Sequence, residues 1–468
     1  MTGISRWVTL AVVAGGLFLA VMSTTMVGIA LPSIGADLHA SATDLQWTVD
    51  SYVLVYASLL VAGGVAADRW GRKGAFLLGV ALFGLGALVA GSAPSVPLLL
   101  AGRVAQGVGP ALLVPGSLTI LRATFADPRE RAAAIGLWST SSGLALAVGP
   151  ALGGLVVDGT GWRGVFLLNV PLAAVLGVLA ARYVPRLPRG AAAHRFDWPG
   201  ALLTTSALAA LAYALIDGQH RGWTSAPVLA AAGLGLAGLV AFAGWERRAA
   251  GPLVDVRLFA RPAFTVANLA ALVVFFAFVG GIVYLSAYFQ QVQGSSPVAS
   301  GLEVSAMGMG FALAAPLSGR LVGRVGPRGP MLAGLAAAGL ATLGLLRLRP
   351  DTGTGAVWWN LALVGAGAGL CLTPMTAIAV STVDAASAGM ASAVHNALRQ
   401  VGQVFGVAVL GALVYGELPG DAGGGPRLDP AGRAAFVSGL HRALAVSGLA
   451  LLAAAVLAAL VLRGERHE

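Results

Sequence analysis

Of the 468 residues, 57% are hydrophobic and only 10% are charged. Soluble chains carry about a quarter charged residues, so this composition excludes a soluble enzyme or binding module and describes an all-α polytopic membrane protein. The net charge of +10 is not a nucleic-acid footprint, because the arginines sit in short loops between apolar runs, where they set orientation.

Taken in order, fourteen runs are long enough to span a bilayer: 8–31, 46–67, 75–93, 97–122, 132–157, 165–183, 198–217, 225–245, 263–289, 298–322, 329–346, 356–382, 387–416 and 442–462. The first run has a signal-peptide look, with Arg6 before it, but it is too long for a cleaved signal. The loops holding Arg69, Arg129, Arg186, Arg247, Arg324 and Arg463 are the cation-rich set. They are expected in the cytoplasm together with both termini. The longest loop on the other side is expected from Glu417 to Arg442, rich in Gly and Pro. Cys371 is the single cysteine, inside an apolar run, and reads as a core residue, with no metal spacing around it.

Between the second and third runs stands Gly64-Val-Ala-Ala-Asp68-Arg69-Trp70-Gly71-Arg72-Lys73, which holds the only lysine. A related stretch, Gly319-Arg-Leu-Val-Gly323-Arg324-Val-Gly326-Pro-Arg328, follows the tenth run, with Gly323 in place of Asp68. Parallel six-span repeats are a common plan of secondary transporters. Three parts are therefore expected: a six-helix bundle over residues 1–190, an inserted hairpin over 191–254, and a second six-helix bundle over 255–468.

The first stretch resembles the signature loop of the major facilitator superfamily. Other pieces fit the fourteen-span drug:proton antiporter branch in order and spacing. They are Gln46-Trp47-Thr-Val-Asp50-Ser-Tyr52, Arg103-Val-Ala-Gln106-Gly107, Gly149-Pro150-x-x-Gly153-Gly154, Trp162-Arg163 and Asn396-Ala-Leu-Arg399-Gln400. The resemblance implies a major facilitator fold in a bacterial cytoplasmic membrane. It also implies export of small lipophilic or cationic compounds, such as drugs, antibiotics or toxic metabolites, in exchange for protons. Import or facilitated diffusion of a metabolite is the alternative.

Asp50 lies about 6 Å inside the second span. A charged, unpaired carboxylate there is costly, so it either takes part in proton or cation handling or sits at headgroup level. Arg103, about six residues into the fourth span, either tunes that proton or pairs structurally. The resemblance leads one to expect an acid in the first span, where Ser23 stands instead. Asp50 and Arg103 are therefore expected to pair. Gly143, Gly149, Pro150, Gly153 and Gly154 match the antiporter motif and present a small, kinked face for rocking or for plain packing.

Asn396, Arg399 and Gln400, with His395 and Gln403, make a polar stripe suited to gating or to interhelical bonding. Glu303, Tyr52 and Tyr56 are further cavity candidates, and tyrosines Tyr284 and Tyr288 fit either ligand stacking or an interfacial belt. Gly233-Leu-Gly235-Leu-Ala-Gly238 follows no strand and is not a dinucleotide site, and no P-loop occurs, so ATP and other cofactors are not expected. The spans lack paired catalytic groups at one depth, which argues against an enzyme. The expected partners are a small-molecule substrate, protons and lipid.

Overall fold

The structure, a computed structural model, describes residues 3–187, 197–249, 252–384, 388–416, 418 and 428–462. The described residues form fifteen α-helices with no strand. They are α1 (Gly3–Leu38), α2 (Ala42–Trp70), α3 (Arg72–Gly91), α4 (Val96–Thr124), α5 (Pro128–Thr160), α6 (Trp162–Leu167), α7 (Asn169–Tyr183), α8 (Trp198–Arg221) and α9 (Ala226–Glu246). After these come α10 (Pro262–Ala287), α11 (Pro297–Val325), α12 (Arg328–Gly344), α13 (Trp358–Ser381), α14 (Ala388–Tyr415) and α15 (Pro430–Val461). Thirteen segments are long and apolar enough to cross a membrane, α6 and α7 together making one. The 29-residue α2, which carries Asp44 and Asp50, takes the place of the fourteenth.

Two of the expected limits are corrected. The sixth span is two helices meeting at Leu168, where the Asn169 side-chain amide donates to the Val165 carbonyl at 2.8 Å. The last span begins at Pro430, not 442, because Asp429 caps the Gly432 amide at 2.7 Å and Pro430 occupies the first turn. Much of the expected Glu417–Arg442 loop is therefore helix, and residues 417 and 419–427 of it lie outside the described residues. So do residues 188–196 of the linker before α8.

The ends of the signature stretch follow from backbone geometry. Gly71 ends α2 and starts α3 with φ +99°, and its counterpart Gly326 ends α11 with φ +76°. Both conformations favour glycine, so the two stretches are equivalent turns. Lys73 Nζ donates to the Ala181 carbonyl of α7 at 2.6 Å. The side chains of Asp68 and Arg69 lie outside the described residues.

Helices α1–α7 form one bundle and α10–α15 the other. They meet along two seams. On the first, α5 runs against α11 through glycine. A Cβ on Gly154 would lie 2.4 Å from the Pro297 carbonyl, one on Gly301 2.3 Å from that of Pro150, and one on Gly308 2.2 Å from that of Leu146. These contacts fill the arginine-poor half. In the arginine-rich half α5 and α11 part, leaving a cleft of about 440 Å³ between Gly136, Leu137 and Thr140 on one side and Ala315, Pro316 and Gly319 on the other.

The second seam, between α2 and α14, is covered by α8. Ala201 packs with Ala62, Leu208 lies by Leu54 and Phe405, and Asp217 accepts from Trp47 Nε1 at 3.5 Å. Helix α9 backs α8 and shows Leu234 and Val240 to the surroundings, as a lipid-facing helix should.

Close packing in the arginine-poor half predicts unequal effects of adding a methyl group. Gly308→Ala drives a Cβ into the Leu146 backbone, and overpacking costs about 1–3 kcal/mol. Gly319→Ala meets nothing nearer than Thr373 Oγ1 at 4.0 Å. Thermal unfolding in detergent should show a lowered midpoint for Gly308→Ala and little change for Gly319→Ala. Equal midpoints would contradict the tight seam.

Candidate functional site

Three groups of polar residues stand out inside the bundles. The first surrounds Arg103, which is fully buried between α1, α2 and α4. Its Nε donates to the Thr48 carbonyl at 2.8 Å, and Nη1 donates to Gln106 Oε1 at 2.8 Å and to Ser23 Oγ at 3.2 Å. Its guanidinium lies 4.3 Å from the ring centre of Tyr52, whose hydroxyl donates to the Ala20 carbonyl at 2.8 Å. Ser23 thus takes the place expected for an acid and offers a hydroxyl lone pair. Gln106 completes the group by donating to the same Ser23 oxygen at 3.2 Å.

The expected Asp50–Arg103 pair is not formed. Both residues sit at similar depth, but depth does not set direction around the helix. Thr48 and Tyr52, one turn apart, face Arg103, and Asp50 is two residues from each, about 200° round α2. It therefore points toward the other bundle. Gln46, one turn earlier on the same face, meets Gly411 of α14, and Tyr284 of α10 is close enough to feel the charge of Asp50. Tyr284 donates to the Val407 carbonyl at 2.5 Å and sets its ring against Tyr415 at 5.9 Å. Asp50 is fully buried at this seam, and neither carboxylate oxygen has a hydrogen-bond partner. Tyr52, expected at a cavity, belongs instead to the Arg103 group.

The third group lies where the bundles meet at mid-depth. Thr24, Tyr56, Phe275, Arg399, Gln400 and Gln403 are among the walls of a cavity of about 30 Å³, room for a water or two. Arg399 lies 4.2 Å from the Phe275 ring centre and donates to Asn396 Oδ1 at 3.1 Å. Gln403 donates to Gln400 at 2.6 Å. The stripe read on α14 therefore divides. His395 turns into its own bundle, within 3.2 Å of both Asn268 and Thr376, while the next turn faces the cavity.

Glu303 belongs to none of these groups. It is half-buried near Tyr288, whose hydroxyl donates to the Arg349 carbonyl at 2.6 Å. Phe275 could not have been singled out from the sequence, because α10 is apolar on every side.

The antiporter-motif residues join all this together. Gly149 and Gly153 press on Thr25 and Met26 of α1, while Pro150 and Gly154 press on Gly301 and Pro297 of α11. A Cβ on Gly143 would meet Ala312 at an ordinary 3.5 Å, just where the cleft begins. At the arginine-poor end Gln290, turned inward by a wide helical turn after α10, donates to the Ile29 carbonyl at 3.0 Å and closes the gap between bundles. Arg163 and Trp162 both donate to Asp37, at 2.6 and 3.0 Å, which fixes the end of α1.

The Arg103 group yields a stability prediction. Ser23→Ala removes an acceptor from a buried cation, a loss of about 1–3 kcal/mol. Ser23→Asp supplies a charged one. The melting midpoint should fall for the first and recover or rise for the second. The reverse order would contradict the assigned partner.

Comparison with known proteins agrees with this geometry. The sequence profile of the Major Facilitator Superfamily matches residues 13–407. The chain is 38% identical over 412 residues to the multidrug resistance protein Stp of Mycobacterium tuberculosis, covering 88% of this chain and 76% of that one. It is 35% identical over 433 residues to the methylenomycin A resistance protein of Streptomyces coelicolor, covering 92% and 91%. It is also 35% identical over 416 residues to the tetracenomycin C resistance and export protein of Streptomyces glaucescens, covering 87% and 76%. Among solved structures, a bacterial homologue of the human lysosomal transporter Spinster, inward-facing and unoccupied, superposes with a TM-score of 0.72. The identity there is 18%, with 99% of this chain and 98% of that one covered, which bears on fold alone. By profile, by relatives and by fold, the chain belongs to the Major Facilitator Superfamily, as a multi-pass membrane transporter.

Proposed function

We propose that this protein exports antibiotics or other toxic lipophilic compounds from a bacterial cell in exchange for protons, by alternating access. The names of its relatives support the cargo class. The loop arginines support placing the arginine-rich end and both termini in the cytoplasm. With that orientation the arrangement is inward-facing: glycine packing and Gln290 seal the outer half, and the α5–α11 cleft opens inward.

The observation that carries the proton half of the reading is Asp50, buried without a partner at the α2–α14 seam. A dry, unpaired carboxylate costs several kcal/mol, so this seal closes only when the residue carries a proton. When the outer half opens, Asp50 meets water and can take up a proton from outside. Neutral Asp50 then permits the outer seal. Loss of the proton inward, toward the polar cavity about 9 Å along α2 at Tyr56, makes the seal costly and favours reopening. Arg103 serves this cycle as a fixed strut, joining α1, α2 and α4 so that they move as one.

Expression in an efflux-deficient bacterial host should lower the accumulation of at least one lipophilic antibiotic, and a proton uncoupler should abolish the effect. Asp50→Asn should reach the membrane yet lose concentrative export and its pH dependence. ATP-dependent, uncoupler-resistant export would overturn the proposal, as would an Asn variant that keeps the wild-type pH profile.

A further inference from the structure

The cavity at mid-depth carries a charge that the cargo must tolerate. Among the described residues that line it, Arg399 is the only charged one. Asp50 and Glu303, the acids singled out in the spans, face elsewhere, Asp50 into the α2–α14 seam and Glu303 beside Tyr288. A lipophilic cation entering this space would meet a guanidinium and no countercharge.

The guanidinium is also incompletely satisfied. Nη1 donates to Asn396, and the Phe275 ring lies beside it, but Nε is buried without an acceptor. A buried donor on a charged group gains strongly from an added acceptor. The neighbouring groups have spare capacity too. Gln403 and Gln400 pair with each other, which leaves one NH2 and one carbonyl unengaged. Tyr56 stands close enough to Arg399 to interact electrostatically. Val21, Leu146 and Val279 supply an apolar part of the wall, beside Thr24, Thr25 and Ser142. The cleft between α5 and α11 approaches along α5, with Gly143 lining the cleft and Ser142 lining the cavity.

We infer that the cargo, admitted when the bundles part and widen this space of about 30 Å³, is a planar, acceptor-rich aromatic compound, neutral or anionic, with a carboxylate, enolate or phenolate oxygen at Arg399 and its ring against Tyr56 and the apolar side chains. Lipophilic cations are poor cargo. This rests on the exporter reading and sharpens it. In that reading, export of an anion and entry of a proton both run with an inside-negative membrane potential, whereas a cation moves against it.

The test uses fluorescein and rhodamine 123, which share a xanthene frame and differ in charge. Efflux-deficient cells expressing the full chain should expel fluorescein about tenfold faster than rhodamine 123. Arg399→Gln should bring that ratio close to one, and Arg399→Lys, which keeps the charge, should restore part of it. Faster export of rhodamine 123, or a ratio unchanged in Arg399→Gln, would overturn the inference and leave the exporter reading intact. Equilibrium binding of both dyes to the purified protein in lipid nanodiscs separates the two claims. Fluorescein binding that weakens in Arg399→Gln, with neither the dyes nor any lipophilic antibiotic expelled by cells, would uphold the inference and sink the exporter reading. Equal binding of both dyes would overturn the inference.

Discussion

A carboxylate held dry and unpaired between two helical bundles is the constraint on which this molecule turns. Arg103 and His395, also buried in the spans, have partners: Arg103 has Thr48, Gln106 and Ser23, and His395 lies between Asn268 and Thr376. Asp50 has none and lies where the bundles touch. A buried pair would be stable in one arrangement and would need breaking to leave it. An unpaired acid instead makes the closed seam sensitive to a single proton, as the proposed exchange requires. Arg103, held by neutral acceptors on α1, α2 and α4, ties those helices together without Asp50.

The two seams are not equivalent, and the difference comes from the inserted hairpin. Helix α8 follows α2 along its length, at Ala62, Leu54 and Trp47, and shields the α2–α14 seam where Asp50 sits. The α5–α11 seam has no such cover. Its arginine-rich half opens to about 440 Å³ among Leu137, Ala315 and Pro316, and Leu137 and Leu317 are 53% and 50% exposed. In the proposed exchange, the covered seam serves the proton and the bare seam the cargo. The glycines of α5 and α11 hold the far half of that bare seam shut by backbone contact, where any side chain would wedge it apart.

Much of this was legible in the sequence because bilayer physics leaves few options. Most spans follow from apolar length, and the two matching loop stretches each return a glycine at positive φ, Gly71 and Gly326. The small-residue face of α5 was readable from spacing, though not that Gly149 and Gly153 meet α1 while Pro150 and Gly154 meet α11. What sequence could not supply was direction around a helix. Asp50 and Arg103 matched in depth but not in azimuth, and the α14 stripe divided between interior and cavity for the same reason. The early start of α15 was signalled by Asp429-Pro430, a cap-and-proline pair hidden among loop-like residues. Phe275 gave no signal, because an aromatic in an apolar helix becomes notable only when a guanidinium from another helix lies beside it.

The central claim is that the proton on Asp50 decides which end of the molecule is closed. The most direct measurement is the distance between spin labels at Leu137→Cys on α5 and Leu317→Cys on α11, by double electron–electron resonance in lipid nanodiscs at acidic and alkaline pH. Both positions are exposed, and the sole native cysteine, Cys371, is buried. The account predicts a long distance in acid, with Asp50 neutral and the far half sealed, and a shorter one in alkali. In the Asp50→Asn protein the long distance should persist at both. A wild-type distance that ignores pH, or an Asn variant that shifts as the wild type does, would contradict it.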